Sequence, residues 1–550
     1  MSHSIYQWLS FVCIIWLQSF NGTNSDFPAY SSQLKSLLSI SQIKLNNLAF
    51  ASDAGKLLGW FSGVAANYLP LWVVLILGAI LGLIGYGVQF LYIVQKISYL
   101  SYFQILMLNI LAGNSICWIN TVCYTSIIQN FPFHPQVAVG LATSYVGLSA
   151  KIYTDIVDVI SSDTSSRAKN YLLLNSILPL IVSLLAIPIL LLKDVASDKD
   201  GKAYMSVQSG FTIMFFVTIV TGIYSVIGSL GWKKVVESPL YATGLAFLLI
   251  VVPLLIPVGL RVGKFVLNWW QTKRDNKICN RSVDSDNFSA NSTEDSDEVV
   301  IEMKELAEVV AQDSTSVTDD SIGSCTSTSS IEEIGVKMMV RRMEFWLYFF
   351  VYMFGSTLGL VFMNNLGQIA ESRGQSLATT SSLVSLSSAF VFFGRLLPSL
   401  LHHFSGNKYM ISTTKSIAAL MPPISVAFFL LAVNSGIGSL YISTVIIGLC
   451  IGSFTSISVS ATTELFGTKN FGVNHNIIVG NIPVGSFVFG TCAALLYEKK
   501  KKSDQTNICM GAECYRTTFI IWGCISLLGA ILAFVLHLRT RKFYQQKQLR

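Results

Sequence analysis

Residues 71–94 form a run of 24 positions without one charged side chain. A helix needs about 20 predominantly apolar residues to cross the hydrocarbon core of a bilayer, so this run alone commits the chain to a membrane. Similar runs, punctuated by Gly, Pro and charge, lie at 7–32, 43–66, 99–129, 136–160, 170–192, 211–230 and 240–260. Others follow at 344–365, 378–401, 412–433, 438–461, 475–497 and 516–538. Fourteen spans are predicted, an even number that puts both chain ends on one side. Of the 550 residues 52% are apolar and 12% charged, and mean hydropathy is +0.57, as an all-α multi-pass protein requires. Much of the basic excess lies beside the apolar runs and at the C-terminus (Arg539, Arg541, Lys542, Lys547, Arg550). There it sets orientation in the bilayer and gives no reason to expect nucleic acid. The first run, Trp8 to Phe20, lacks a basic n-region and a small-x-small cleavage site, so it reads as a span and not as a secretory signal.

The apolar text stops at 261–342, which holds 15 of the chain's 30 acidic residues. This Ser/Thr-rich stretch reads as a solvated linker between two membrane blocks. Lys264, Lys273, Arg274, Lys337, Arg341 and Arg342 flank it and, with the basic tail, place linker and termini in the cytosol. The loop at 499–502 carries four lysines and would then face outside, against the trend. Glycosylation sequons at Asn280, Asn287 and Asn291 make the orientation testable. Within the linker, 299–311 sets Val300, Met303, Leu306 and Val310 against Glu302, Glu305 and Glu308 at helical spacing. It is either a helix docking on the bundles, released by phosphorylation of the adjacent Ser/Thr runs, or part of a disordered tether.

An internal repeat gives the architecture. Gly55-Lys56-Leu57-Leu58 lies in the second span of the first block, and Gly394-Arg395-Leu396-Leu397 in the second span of the second. Equivalent placement suggests a parallel repeat. The expected organisation is a six-helix bundle at 1–192, an extra hairpin at 193–260, the linker at 261–342 and a second six-helix bundle at 343–550.

Ionisable and amide side chains inside spans are the candidate sites, because burying them in lipid is costly unless they face a cavity or a partner. Asp53 and Lys56 stand three residues apart near the middle of the second span, close enough to pair. Asp53 is a candidate proton or cation site, with Lys56 tuning it or receiving an anion; the competing reading is a structural pair, with Lys56 and Arg395 at matching structural posts. Lys151, Asp155 and Asp158 share one face of the fifth span, as a vestibule or as a solvated helix end. Gln18, Asn21, Asn109, Asn114 and Asn120 are amides that either bind a polar solute or tie helices together. His475 starts the thirteenth span as a pH sensor or an interfacial cap. Cys509 and Cys514 flank a short loop expected outside the cytosol, where a disulfide is chemically permitted. No metal-ligand cluster, nucleotide loop or nucleophile triad is visible, so neither enzyme nor cofactor is expected.

Several motifs resemble one family. Leu69-Pro-Leu-Trp72, Leu81-Gly-Leu-Ile-Gly-Tyr-Gly87, the segment from Asn114 to Asn120, Ile128-Gln-Asn-Phe-Pro132 and Val146-Gly-Leu-Ser-Ala150 are similar to the plant nodulin-like domain of the major facilitator superfamily. Asn365-Leu-Gly-Gln368, Phe393-Gly-Arg395, 466–476 and Asn481-Ile-Pro-Val-Gly-Ser486 resemble the C-terminal half of the same proteins, the group that includes the nuclear-fusion-defective type. The resemblance implies two bundles rocking around a central site and secondary-active transport of a small solute, with protons as a candidate coupling ion. It also implies that Asn364, Asn365 and Gln368, in the first span of the second block, line the pathway. Two departures stand out: Asn364 occupies a position that is often acidic in the family, and the usual charged signature between the second and third spans is reduced to 67–72. A plasma membrane or an endomembrane such as the vacuole fits this reading. The competing class is a non-transporting receptor or fusion-related protein on a transporter scaffold.

Overall fold

The structure is a computed structural model that describes residues 3–40, 42–132, 134–160, 166–191, 204–229, 334–405, 412–500 and 509–548, with positions 244 and 259 isolated between them. The eighth predicted span, the linker helix, the sequons and the Ser/Thr runs lie outside the described residues.

The first bundle starts with an interrupted helix, α1 (His3–Phe20) and α2 (Phe27–Leu38), and a second interrupted helix, α3 (Gln42–Ala54) and α4 (Trp60–Tyr68), joined by a 3₁₀ turn at Gly55–Leu58. Four continuous helices follow: α5 (Leu71–Ile93), α6 (Tyr102–Asn130), α7 (Pro135–Ile160) and α8 (Arg167–Leu191). A capping box opens α6, with Ser101 and Gln104 satisfying each other's free amides. Next comes α9 (Tyr204–Ser229), the first half of the expected hairpin, which packs on α7.

The second bundle begins with α10 (Met343–Tyr352), a π-turn at Met353–Thr357, α11 (Leu358–Asn364) and α12 (Leu366–Ser372). It continues with α13 (Leu377–Ser405), α14 (Thr413–Val433), α15 (Ile437–Phe466), the pair α16 (Phe471–Val479) and α17 (Asn481–Lys500), and α18 (Glu513–Gln548). Ten helices among the described residues are long and apolar enough to cross a membrane. The two interrupted helices of the first bundle are not among them. Within the predicted span at 7–32 the helix breaks at 21–26, where Gly22 presses on Ser149 and donates its amide to that hydroxyl at 3.1 Å. Part of the expected linker is also packed, since Ile334 donates its amide to Phe466 O at 3.1 Å and Met339 is fully buried.

The two bundles repeat the same packing. In each, the third helix lies on the fourth and sixth, the second on the fourth, and the first on the fifth and sixth. The repeated Gly-base-Leu-Leu motif marks one of these contacts. Gly55 meets the backbone of Ile110 and Asn114 on α6, and Gly394 meets the backbone of Leu449 on α15. The partner glycines recur too, Gly113 against Ser52 and Gly452 against Val391, each three residues before the motif glycine. No Cβ fits at these crossings, so glycine sets the helix separation.

Between bundles, α3 and α4 pack on α16 and α17, while α7 packs on α13. The second helix of each bundle thus lies against the fifth of the other.

Candidate functional site

Polar side chains concentrate where these second and fifth helices cross. Asp53 and Lys56 are buried, 4% and 8% exposed, and Lys56 Nζ donates to Asp53 Oδ1 at 2.6 Å. The second bundle reaches the same carboxylate, as Ser486 Oγ on α17 donates to Asp53 Oδ2 at 3.2 Å. Six residues beyond Lys56, Ser62 shares a 2.7 Å hydroxyl bond with Thr121. Asn476 Nδ2 on α16 donates to Thr121 Oγ1 at 2.9 Å. His475 beside it stacks on Phe471, meets Tyr124 edge-on and places Nδ1 3.2 Å from Thr462 Oγ1. It is 6% exposed and mid-helix, which corrects the expected interfacial cap.

Arg395 occupies the matching post of the second bundle. Its Nη1 donates to Thr143 O on α7 at 3.0 Å, again across the interface. Its electrostatic neighbours are Tyr124 on α6 and Tyr352 on α10. Its Nε is buried without an acceptor, and among the described residues it forms no ion pair.

Toward the end that carries the chain termini, the bundles are clamped. Gln136 Nε2 on α7 donates to Glu464 Oε1 on α15 at 2.7 Å, Thr413 donates to the other Glu464 oxygen at 2.7 Å, and Ser399 Oγ donates to Gln136 O at 3.0 Å. A cavity of about 60 Å³ lies here, lined by Gln136, Pro398, Ser399, Leu401, His402 and Thr413 among others. Nearby, burial in the α6–α7 loop lowers the His134 pKa below its ordinary value of 6.5, so the ring is neutral at pH 7. Gly63 on α4 meets the backbone of Gly472 and Val473 at the start of α16, a second close crossing on this side.

The family described as Nodulin-like matches residues 7–258, and the family described as the C-terminal domain of NFD4 matches 328–546. The protein NUCLEAR FUSION DEFECTIVE 4 of Arabidopsis thaliana is 38% identical over a 553-residue alignment that covers 98% of this chain and 90% of the relative. The chain belongs to this nodulin-like, NFD4-type family. A shorter similarity, 23% identity over 188 residues, links it to the probable transporter MCH1 of Yarrowia lipolytica (strain CLIB 122 / E 150), covering 32% of this chain and 38% of that one. Among solved structures, the proton:xylose symporter XylE bound to 6-bromo-6-deoxy-D-glucose superposes with a TM-score of 0.54 at 12% identity, over 96% of this chain and 95% of that one. The fold is that of the major facilitator superfamily.

In this NFD4-type protein the other expected site residues separate. Asn21 lies in the α1–α2 break and donates to Ile116 O at 3.3 Å and Asn120 Oδ1 at 2.9 Å; Gln18 donates to the same Asn120 oxygen at 3.2 Å. Asn114 is buried beside the Gly55 crossing with Oδ1 unpartnered. Asn364 is exposed, Asn365 Nδ2 turns back onto Val361 O at 2.8 Å, and Gln368 accepts from Tyr515 OH at 3.2 Å. Asn365 and Gln368 thus bond within the second bundle, away from Asp53. Lys151 and Asp155 form a buried ion pair, which corrects the solvated helix end; the Asp158 side chain lies outside the described residues. Cys509 and Cys514 are disulfide-bonded.

Asp26 was missed by sequence reasoning. It is 1% exposed in the α1–α2 break, with Oδ2 unpartnered and Oδ1 accepting from Asn175 at 3.3 Å. Tyr30, Tyr86, Tyr153 and Tyr171 are its electrostatic neighbours, and no described basic residue pairs with it. The available signal was one acid inside an otherwise acid-free run at 7–32.

Proposed function

We propose that the protein is a secondary-active transporter that moves a small solute by alternating access, its two bundles rocking about the polar layer between them. The observation that carries this is the pair of cross-bundle hydrogen bonds, Ser486 to Asp53 and Arg395 to Thr143 O, each joining the second helix of one bundle to the fifth of the other. Such bonds are few and weak enough to break as one bundle tilts. On the terminal side the Gln136–Glu464–Thr413 clamp must open to release solute, so the protein is closed on that side.

Proton coupling through Asp53 follows from the same geometry. A proton on Asp53 removes the charge that holds Lys56 and accepts from Ser486, loosening the bundles and leaving the Lys56 ammonium without its counter-charge. Uptake into proteoliposomes along an imposed pH gradient tests both parts: solute accumulation supports transport, and gradient-independent accumulation would sink the coupling.

Fourteen spans remain the proposed topology, counting both interrupted helices and a hairpin of α9 with 240–260. Placing termini and linker in the cytosol is supported by the Cys509–Cys514 disulfide, which then lies on the oxidising side. The plasma membrane or a vacuole-like endomembrane fits. The name of the Arabidopsis relative favours a second reading, a non-transporting protein needed for nuclear fusion; intact protein that moves no solute across a broad panel would support it.

A further inference from the structure

Lys56 and Arg395 hold equivalent posts, yet the surrounding chemistry differs. Lys56 is neutralised by Asp53 at 2.6 Å. Arg395 has no carboxylate among the described residues, one bond to a peptide oxygen, and a buried Nε without an acceptor. A guanidinium stays charged at any physiological pH; Arg395 is half-buried, and its enclosed N–H is costly without an acceptor until a partner arrives. The groups around it come from four helices and both bundles: Thr143 on α7, Tyr124 on α6, Tyr352 on α10, and α13 itself. The bond to Thr143 O places this cation at the interface between the bundles.

We propose that Arg395 is the recognition group for a small carboxylate-bearing solute, whose anionic end takes the guanidinium fork. The planar fork matches a carboxylate bidentately. Lys56, already paired, is left free to serve the interface instead. This deepens the transport reading and rests on it for the word solute; binding itself does not.

The full chain, purified into nanodiscs at constant ionic strength, is titrated with benzoate and malate, with benzamide as the neutral control and inorganic phosphate as the alternative oxyanion, and binding is read by thermal shift and calorimetry. The expected result is saturable binding of at least one carboxylate, no binding of benzamide, and a loss of at least about tenfold in affinity in Arg395→Gln. Arg395→Lys, which keeps the charge and loses the fork, should fall between the two. Because Arg395→Gln can disturb folding, the wild-type selectivity decides first. Equal binding of benzamide and benzoate overturns the inference, as does binding of phosphate alone. Flux of neutral solutes in proteoliposomes, with no carboxylate bound or moved, overturns it while leaving transport intact. Carboxylate binding without any flux supports the anion site and removes the transport reading.

Discussion

Asp53 is bound from both bundles at once: Lys56 holds Oδ1 at 2.6 Å from its own helix, and Ser486 holds Oδ2 at 3.2 Å from the opposite one. The carboxylate is therefore both half of a buried ion pair and a latch between the moving parts.

The first prediction separates these roles. Asp53→Asn is expected to abolish the pH dependence of uptake. Ser486→Ala removes one hydrogen bond, about 1 kcal/mol, and should keep pH dependence while shifting the opening equilibrium. Lys56→Met leaves an unpaired buried carboxylate and should destabilise the protein by about 3–5 kcal/mol, read by thermal unfolding in detergent. Unaltered pH dependence in Asp53→Asn would count against Asp53 as the coupling group.

A second prediction concerns the terminal-side clamp. Glu464 accepts from Gln136 across the interface and from Thr413 within its bundle. Glu464→Ala should open that side, raising maleimide labelling of a cysteine introduced by Ser399→Cys. Labelling that does not change would mean the clamp does not hold the closed state.

Glycine crossings supply a third. A Cβ on Gly113 falls onto the Ser52 backbone and one on Gly394 onto Leu449, so Gly113→Ala and Gly394→Ala should each lose about 1–3 kcal/mol through overpacking. Gly490 in α17 has no atom within 4 Å of its Cβ position, so Gly490→Ala should be neutral or gain about 0.5–1 kcal/mol from helix propensity. Similar melting shifts at all three sites would contradict the packing described.

Asp26 yields a fourth. Its carboxyl is buried with no basic partner, and Asn at this position keeps an acceptor for Asn175. Asp26→Asn should therefore leave thermal stability unchanged or raise it, unlike the changes at Lys56. A large loss in melting temperature would show that an unrecognised cation serves the site.

The orientation can be checked without substrate. In intact cells, an impermeant reductant followed by an impermeant maleimide should label Cys509 and Cys514, while Asn280, Asn287 and Asn291 carry no glycan. Glycan on any of the three would invert the topology and exchange the two sides of the proposed cycle.

Sequence alone determined the ten long apolar helices, because a span announces itself through local hydrophobicity and the glycine-rich crossings through a short motif repeated in both blocks. It also determined that Asp53 and Lys56 could pair, since three residues on one helix are always neighbours. Tertiary structure decided the rest. Ser486 lies 433 residues from Asp53, and Thr143 lies 252 from Arg395, so no local pattern could match them. Whether a buried charge meets a counter-charge depends on the rotation and height of helices from different bundles. That register gave Lys56 a carboxylate, left Arg395 without one, and enclosed Asp26 among tyrosines from α2, α5, α7 and α8.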